Sequence, residues 1–210
     1  MRNLLATILG VVTLYGTAAH GGIIGVNDLT GSTAGVYASI IGAPRAVTNS
    51  NVTNLAQQGF NEAQNVLLAG AINVDGGTIA AGTLVSSHMI FLNKPNARSG
   101  RIIHFGVDWL FDGTILGVMS DGRGRREVAS TDFLGAPGTI YPVSPFSARG
   151  LESNDSYFVS GNMLTVNMRV RQPGDWIRVV TAANVPEPGA LGILLLGLLG
   201  LGIQRRARLK

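Results

Sequence analysis

The chain has 210 residues, 46% of them hydrophobic and 13% charged, with no cysteine and a net charge of +4. The absence of cysteine excludes a disulfide framework and thiol chemistry, so the fold rests on its apolar core. Between residues 20 and 184, 11 basic residues balance 11 acidic ones, so the excess positive charge sits at the two ends of the chain. It reports topology rather than an affinity for nucleic acid, which is not expected as a partner.

Met1-Arg2-Asn3 is a short basic segment followed by an apolar run over residues 4–15. Thr17 and Ala19 then supply small residues at the −3 and −1 places of a signal peptidase site. Residues 1–19 therefore read as a cleavable secretory signal, with the secretion machinery and signal peptidase as partners. Residues 20–184 form the exported domain. The Gly-rich stretch 22–50 reads as one or two loose strands, and 51–61 as a helical turn or a loop around Leu55, Ala56 and Phe60. From there the pattern is β. The apolar run 66–74 stops at Asp75-Gly76-Gly77, and 82–93 and 101–111 are strands separated by the loop 94–100. Asp112-Gly113 turns the chain into 114–119, and Asp121 to Gly124 turns it again. Ser130 is placed to cap one helical turn through Phe133-Leu134. The clearest strand is 163–171, where Leu164, Val166, Met168 and Val170 alternate with polar residues. A last strand covers 176–182. Short strands at this spacing, with no strong helical period between them, predict a mainly β fold. It is an antiparallel β-sandwich, jelly-roll-like or alternatively immunoglobulin-like.

The chain closes with Pro186-Glu187-Pro188, an uncharged Leu/Gly/Ile run over 189–203, and a basic tail over 204–210. The apolar run reads as a transmembrane helix, with Arg205, Arg206, Arg208 and Lys210 as the cytoplasmic stop signal. Its 15 residues reach only ~22 Å, against a bilayer core of ~30 Å. Snorkelling Arg205 and Arg206 make up the difference. Pro186 and Pro188 hold their neighbours extended and withhold backbone donors, which suits presentation to a membrane-embedded protease.

These last 26 residues, 185–210, resemble the PEP-CTERM sorting signal of Gram-negative bacteria. The resemblance implies recognition at Pro186, Glu187 and Pro188 by an exosortase. It also implies transient anchoring in the inner membrane, then release to the cell surface or extracellular matrix, in association with exopolysaccharide. The stretches 73–83, 111–118 and 173–179 also resemble a group of PEP-CTERM proteins that lack a known activity. That resemblance supplies no catalytic residues.

No Gly-x-Ser-x-Gly elbow, phosphate loop or His-Glu-x-x-His motif occurs, and the chain reads as a non-enzyme without a cofactor. Pairing the strands 86–92 and 101–107 as a hairpin places His88 opposite His104 in one register, with Asp108 farther along the same face. Two imidazoles and a carboxylate are transition-metal ligands, although the opposite register is equally open. Asp75, Asp112, Asp121, Glu152, Asp155 and Asp175 lie at expected turns, where calcium sites and ordinary Asx turns both place acids. Arg123, Arg125 and Arg126 are the one basic cluster of the exported domain, and guanidinium groups pair well with the carboxylates of an acidic polysaccharide. Two alternatives stand beside the structural reading: a carbohydrate-binding module or adhesin, and a secreted hydrolase carrying the same sorting signal.

Overall fold

The computed structural model describes residues 21–48, 51–96, 99–172 and 174–183. The expected signal segment and the C-terminal apolar run lie outside these residues. Among the described residues no helix is long and apolar enough to cross a membrane.

The elements in chain order are β1 (Ile23–Asn27), β2 (Ser39–Ile40), β3 (Gln58–Asn61), β4 (Val66–Leu67), β5 (Ile72–Val74), β6 (Gly77–Ile79), β7 (Leu84–Leu92), β8 (Ile102–Phe111), β9 (Ile115–Met119), α1 (Arg125–Leu134), β10 (Ser156–Ser160), β11 (Met163–Val170) and β12 (Asp175–Ala182). They build two sheets, ordered β1-β8-β11-β10 and β2-β3-β7-β12-β9, with β4 also on β7 and β5-β6 as a separate hairpin. The fold is mainly β, as the sequence indicates, and every named pair is antiparallel except β2 with β3.

The sheets pack face to face. Ile102, Val107, Trp109, Phe111, Leu164, Val166 and Met168 of the first sheet meet Ile90, Leu92, Val118, Ile177 and Val179 of the second in one buried cluster. Each fully buried side chain of this size contributes ~1.5–3 kcal/mol. β11 alternates buried and half-buried positions along its length, so one face meets the core and the other meets solvent. β7 and β12 are buried on both faces, burying the polar Ser86, Ser87, His88, Arg178 and Thr181 along with their apolar residues.

The close approach of the sheets constrains residue 59. A Cβ at Gly59 would stand 2.5 Å from Cζ3 of buried Trp109. Gly59→Ala is therefore expected to destabilise the fold by ~1–3 kcal/mol through overpacking. A chemical denaturation midpoint indistinguishable from wild type would refute this.

A bulge interrupts the β8–β11 ladder between Val166 and Met168, where Gly106 adopts φ 69°, a conformation glycine takes without strain. Gln57 repairs the interruption. Its Nε2 donates to the carbonyls of His104 (3.0 Å) and Val166 (3.2 Å), and its Oε1 accepts from Trp109 Nε1 at 3.1 Å. Of the two readings for residues 51–61, the loop is the one formed, up to the start of β3 at Gln58. Gln57 bonds across the sandwich to β8 and β11, Asn54 bonds the Phe91 carbonyl of β7, and the chain enters β3 directly.

The second sheet carries a further layer on its outer face. There α1 and the β5-β6 hairpin bury Leu68, Ile72, Val74, Ile79 and Leu134 against Val85, Met119 and Val180. Ser130 lies inside α1 rather than at its start, because the helix begins at Arg125. Asp121 receives the backbone N–H groups of Arg125 (2.9 Å) and Arg126 (3.1 Å), which moves the helix start several residues upstream of the expected cap.

Two buried ion pairs lock this layer down. Arg178, on β12, makes a two-pronged bond to Glu62, with Nε to Oε2 at 2.7 Å and Nη2 to Oε1 at 2.8 Å. Its Nη1 donates to the Glu127 carbonyl (2.6 Å) and Ser130 Oγ (2.8 Å) of α1. Arg149 grips the Glu127 carboxylate in the same way, at 2.9 and 2.7 Å. The Arg149 guanidinium also lies 4.3 Å over the Trp176 ring, and Trp176 in turn stacks on Phe91 at 4.2 Å. Tyr141 completes the network by donating to Glu62 Oε1 at 2.7 Å. α1 is short and polar, so these bonds, more than an apolar stripe, hold it to the sheet.

Candidate functional site

The basic cluster lies on the first turn of α1 and the residues just before it. Arg123 and Arg125 are exposed. Arg126 is engaged, with Nη1 2.8 Å from Asp75 Oδ1 and 3.8 Å from Asp121 Oδ1. The cluster is thus two solvent-facing guanidinium groups beside a third committed to structure. Arg125 and Arg126 stand over a half-open cavity of about 400 Å³, walled by Ile72, Met119, Ala129 and Phe133. Asp75 is the anchor of this corner. Its Oδ2 receives Ser120 N (3.1 Å), Ser120 Oγ (2.6 Å) and Tyr157 Oη (3.1 Å). Burial, then the Asp75 carboxylate, push the Tyr157 hydroxyl up to about 12.

His88 and His104 do not come together. β7 and β8 lie in different sheets and do not pair with each other. The loop between them crosses from one sheet to the other instead of closing a hairpin. His104 accepts the Gln57 backbone N–H at Nδ1 (3.0 Å), which leaves Nε2 to donate to Asp28 Oδ2 at 2.8 Å. Burial lowers its pKa, and Asp28 opposes the shift. His88 bonds Asn61 Oδ1 (2.9 Å) and Thr181 Oγ1 (3.1 Å), and burial pushes its pKa down to about 3. Asp108 accepts from Thr165 Oγ1 at 2.7 Å. All three are occupied in separate places. Among the described residues no three His, Asp or Glu side chains are arranged to hold a metal ion.

The six acids weighed for calcium divide into two sets. Asp121 bonds the backbone donors of its own turn, while Asp75 and Asp112 accept from donors far along the chain, Ser120 and Gly22 among them. Glu152, Asp155 and Asp175 converge instead on a polar pocket of about 220 Å³, at the β11–β12 connection and the loop leading into β10. Asp155 accepts the Arg169 N–H at 2.6 Å and the Glu152 N–H at 3.1 Å. Asp175 is 4% exposed and shares a hydrogen bond with the Asp155 carboxyl. Burial first, then the charges of Asp155 and Glu152, push Asp175 up to about 9, so it carries its proton at neutral pH. Spacing alone does not reveal this convergence, because Asp175 opens β12 while Glu152 and Asp155 lie in the loop before β10.

Glu62, Glu127, Arg149 and Arg178 escape sequence reasoning as a group. The one available signal is Arg178 inside an otherwise apolar strand, since a charge buried on both sides demands a partner.

The sorting residues Pro186, Glu187, Pro188, Arg205, Arg206, Arg208 and Lys210, and the signal peptidase residues Thr17 and Ala19, lie outside the described residues. No curated protein and no solved structure matches the chain. Residues 184–206 match the family model of the PEP-CTERM protein-sorting motif, a signal that implies exosortase processing, transient membrane anchoring and export toward the cell surface. The match contains the Pro-Glu-Pro element and Arg205 and Arg206, so the chain carries a PEP-CTERM protein-sorting motif.

Proposed function

We propose that residues 20–184 are a non-catalytic β-sandwich with a structural or exopolysaccharide-associated role at the cell surface or in the extracellular matrix. In this reading, signal peptidase removes residues 1–19, the segment 189–203 holds the protein in the inner membrane, and the exosortase separates the domain from the segment that follows it. The observation that carries the reading is the sorting motif, which starts at residue 184, two residues beyond the end of β12 at Ala182. Mass spectrometry of the protein from membrane, surface and medium fractions tests it. The expected surface or medium species begins near His20 and ends close to Pro188. Recovery of residues 1–210 intact from the cytosol would overturn it.

The three clustered carboxylates bear on the hydrolase alternative. Glycoside hydrolysis uses two carboxyl groups ~5 Å or more apart, flanking the scissile bond. Asp155 and Asp175 instead interact with each other as a pair. A binding role at the surface fits this geometry better. Exposed Arg125 at the 400 Å³ cavity, with exposed Arg123 two residues before it, favours contact with an acidic polysaccharide as a second reading.

A further inference from the structure

Arg125, Ala129 and Phe133 recur every four residues along α1, so they share one face of the helix. All three are exposed, Phe133 by 41%. They line the half-open cavity of about 400 Å³ together with the small, exposed run 69–71 between β4 and β5. Ile72 and Met119, at 8% and 2% exposure, are its nearly sealed apolar floor. We propose that this groove binds a small monocarboxylate with an aliphatic or aromatic body, its carboxylate on Arg125 and its hydrocarbon against Ala129 and Phe133.

Charge, polarity and size narrow the ligand. Arg126 is held by Asp75 and Asp121, but the Arg125 guanidinium makes no ion pair or hydrogen bond among the described residues. An exposed cation without an acid beside a cavity favours an anion there, and guanidinium matches a carboxylate in geometry. The neutral polar side chains of the lining are Asn73 and Ser130. Ser130 Oγ is already engaged by Arg178 and by the Arg126 and Glu127 carbonyls. A sugar ring inside the groove would leave most of its hydroxyls unpaired, which costs affinity for each one buried. A hydrocarbon body meets no such cost against Ala129 and Phe133. The volume lies within the ~300–1,000 Å³ range of small-molecule sites. Arg125 and Phe133 stand ~12 Å apart along the helix axis, a span that the Arg125 side chain and a ligand the length of phenylacetate or hexanoate cover together.

This inference goes beyond the structural and polysaccharide readings, and its test is independent of delivery. The full chain, methyl-labelled at Ala and Ile in one zwitterionic detergent, is titrated with phenylacetate and hexanoate and with their amides as neutral isosteres. Saturable shifts of the Ala129 and Ile72 methyl signals are expected with the carboxylates. Binding should be roughly fivefold weaker for the amides and in Arg125→Gln, the size of an exposed ion pair. Arg125 is exposed and makes no bonds, so this variant keeps the fold. Ala129→Leu, at an exposed helix position that suits leucine, fills the groove and should abolish the Ile72 response. Absence of saturable shifts with both carboxylates, or equal binding by wild type and Arg125→Gln, would overturn the proposal. A galacturonate trisaccharide is titrated in parallel, and its binding without that of the carboxylates would overturn it in favour of the polysaccharide reading. Shifts that follow dilution of the protein alone, with no response to either carboxylate, would assign the groove to a second copy of the chain instead.

Discussion

Glu62→Ala is expected to lower the unfolding free energy by ~3–5 kcal/mol, the cost of leaving a buried charge without its partner. Glu62 and Arg178 are both sealed from solvent, at 4% and 0% exposure. Burial alone would lower the Arg178 pKa, but Glu62, and behind it Glu127, more than offset this and keep the guanidinium charged. Removing Glu62 deletes two short bonds to Arg178, and it also removes the acceptors of Ser87 Oγ (2.7 Å) and Tyr141 Oη. The guanidinium then has only the α1 carbonyl and hydroxyl oxygens, so α1 should loosen together with the sheet. Denaturant titration of the full chain checks the size of the loss. The double replacement Glu62→Leu with Arg178→Met is expected to recover more than half of it, because an apolar pair of similar volume needs no compensation. If Glu62→Ala costs under about 1 kcal/mol, within the range of a surface pair, the network does not hold the outer layer.

The second large effect is a loss of stability with rising pH, governed by Asp175. Its folded pKa of about 9 lies far above its ordinary 3.8, so between those values the folded state keeps a proton that the unfolded chain has released. Stability from this group is complete below pH 3.8 and declines through about pH 9, by ~1.4 kcal/mol per pH unit. His88 acts in the opposite sense. Its pKa falls from 6.5 to about 3 on burial, so its contribution is complete above pH 6.5 and is lost as pH drops toward 3. Between 3.8 and 6.5 the two slopes offset each other. Above 6.5 Asp175 acts without that opposition, and a loss on the order of 3 kcal/mol is expected by pH 9. Asp175→Asn should flatten that alkaline limb in thermal melts at stepped pH. A wild-type profile already flat from 6.5 to 9, or an identical decline in the variant, would refute the assignment.

Much of the β framework is legible in the sequence because local chemistry sets it. β7, β8, β9, β11 and β12 begin and end within a few residues of where their apolar runs meet Gly, Asp or Pro. The sorting motif is equally readable, since it consists of composition and order alone. Strand partnership is not local. The loop after β7 can close a hairpin or cross to the facing sheet with the same residues, and the histidine pairing expected from the first choice disappears under the second. The helix is hidden for a related reason. Its opening Arg125-Arg126 reads as a charged loop, and its hold on the sheet comes from Arg178, whose other partner, Glu62, lies 116 positions away. The convergence of Asp175 on Asp155 and Glu152 likewise depends on how three separate segments meet.

The position of β12 has a consequence for the order of events during synthesis. It lies between β7 and β9, both of which precede it along the chain, yet it is the last strand to leave the ribosome. The central gap of that sheet therefore stays open until residues 175–182 are available, and Arg178 reaches Glu62 only then. The sheet cannot close prematurely around a missing centre. Once those eight residues are available, the body can complete itself just before the sorting motif, which begins at residue 184.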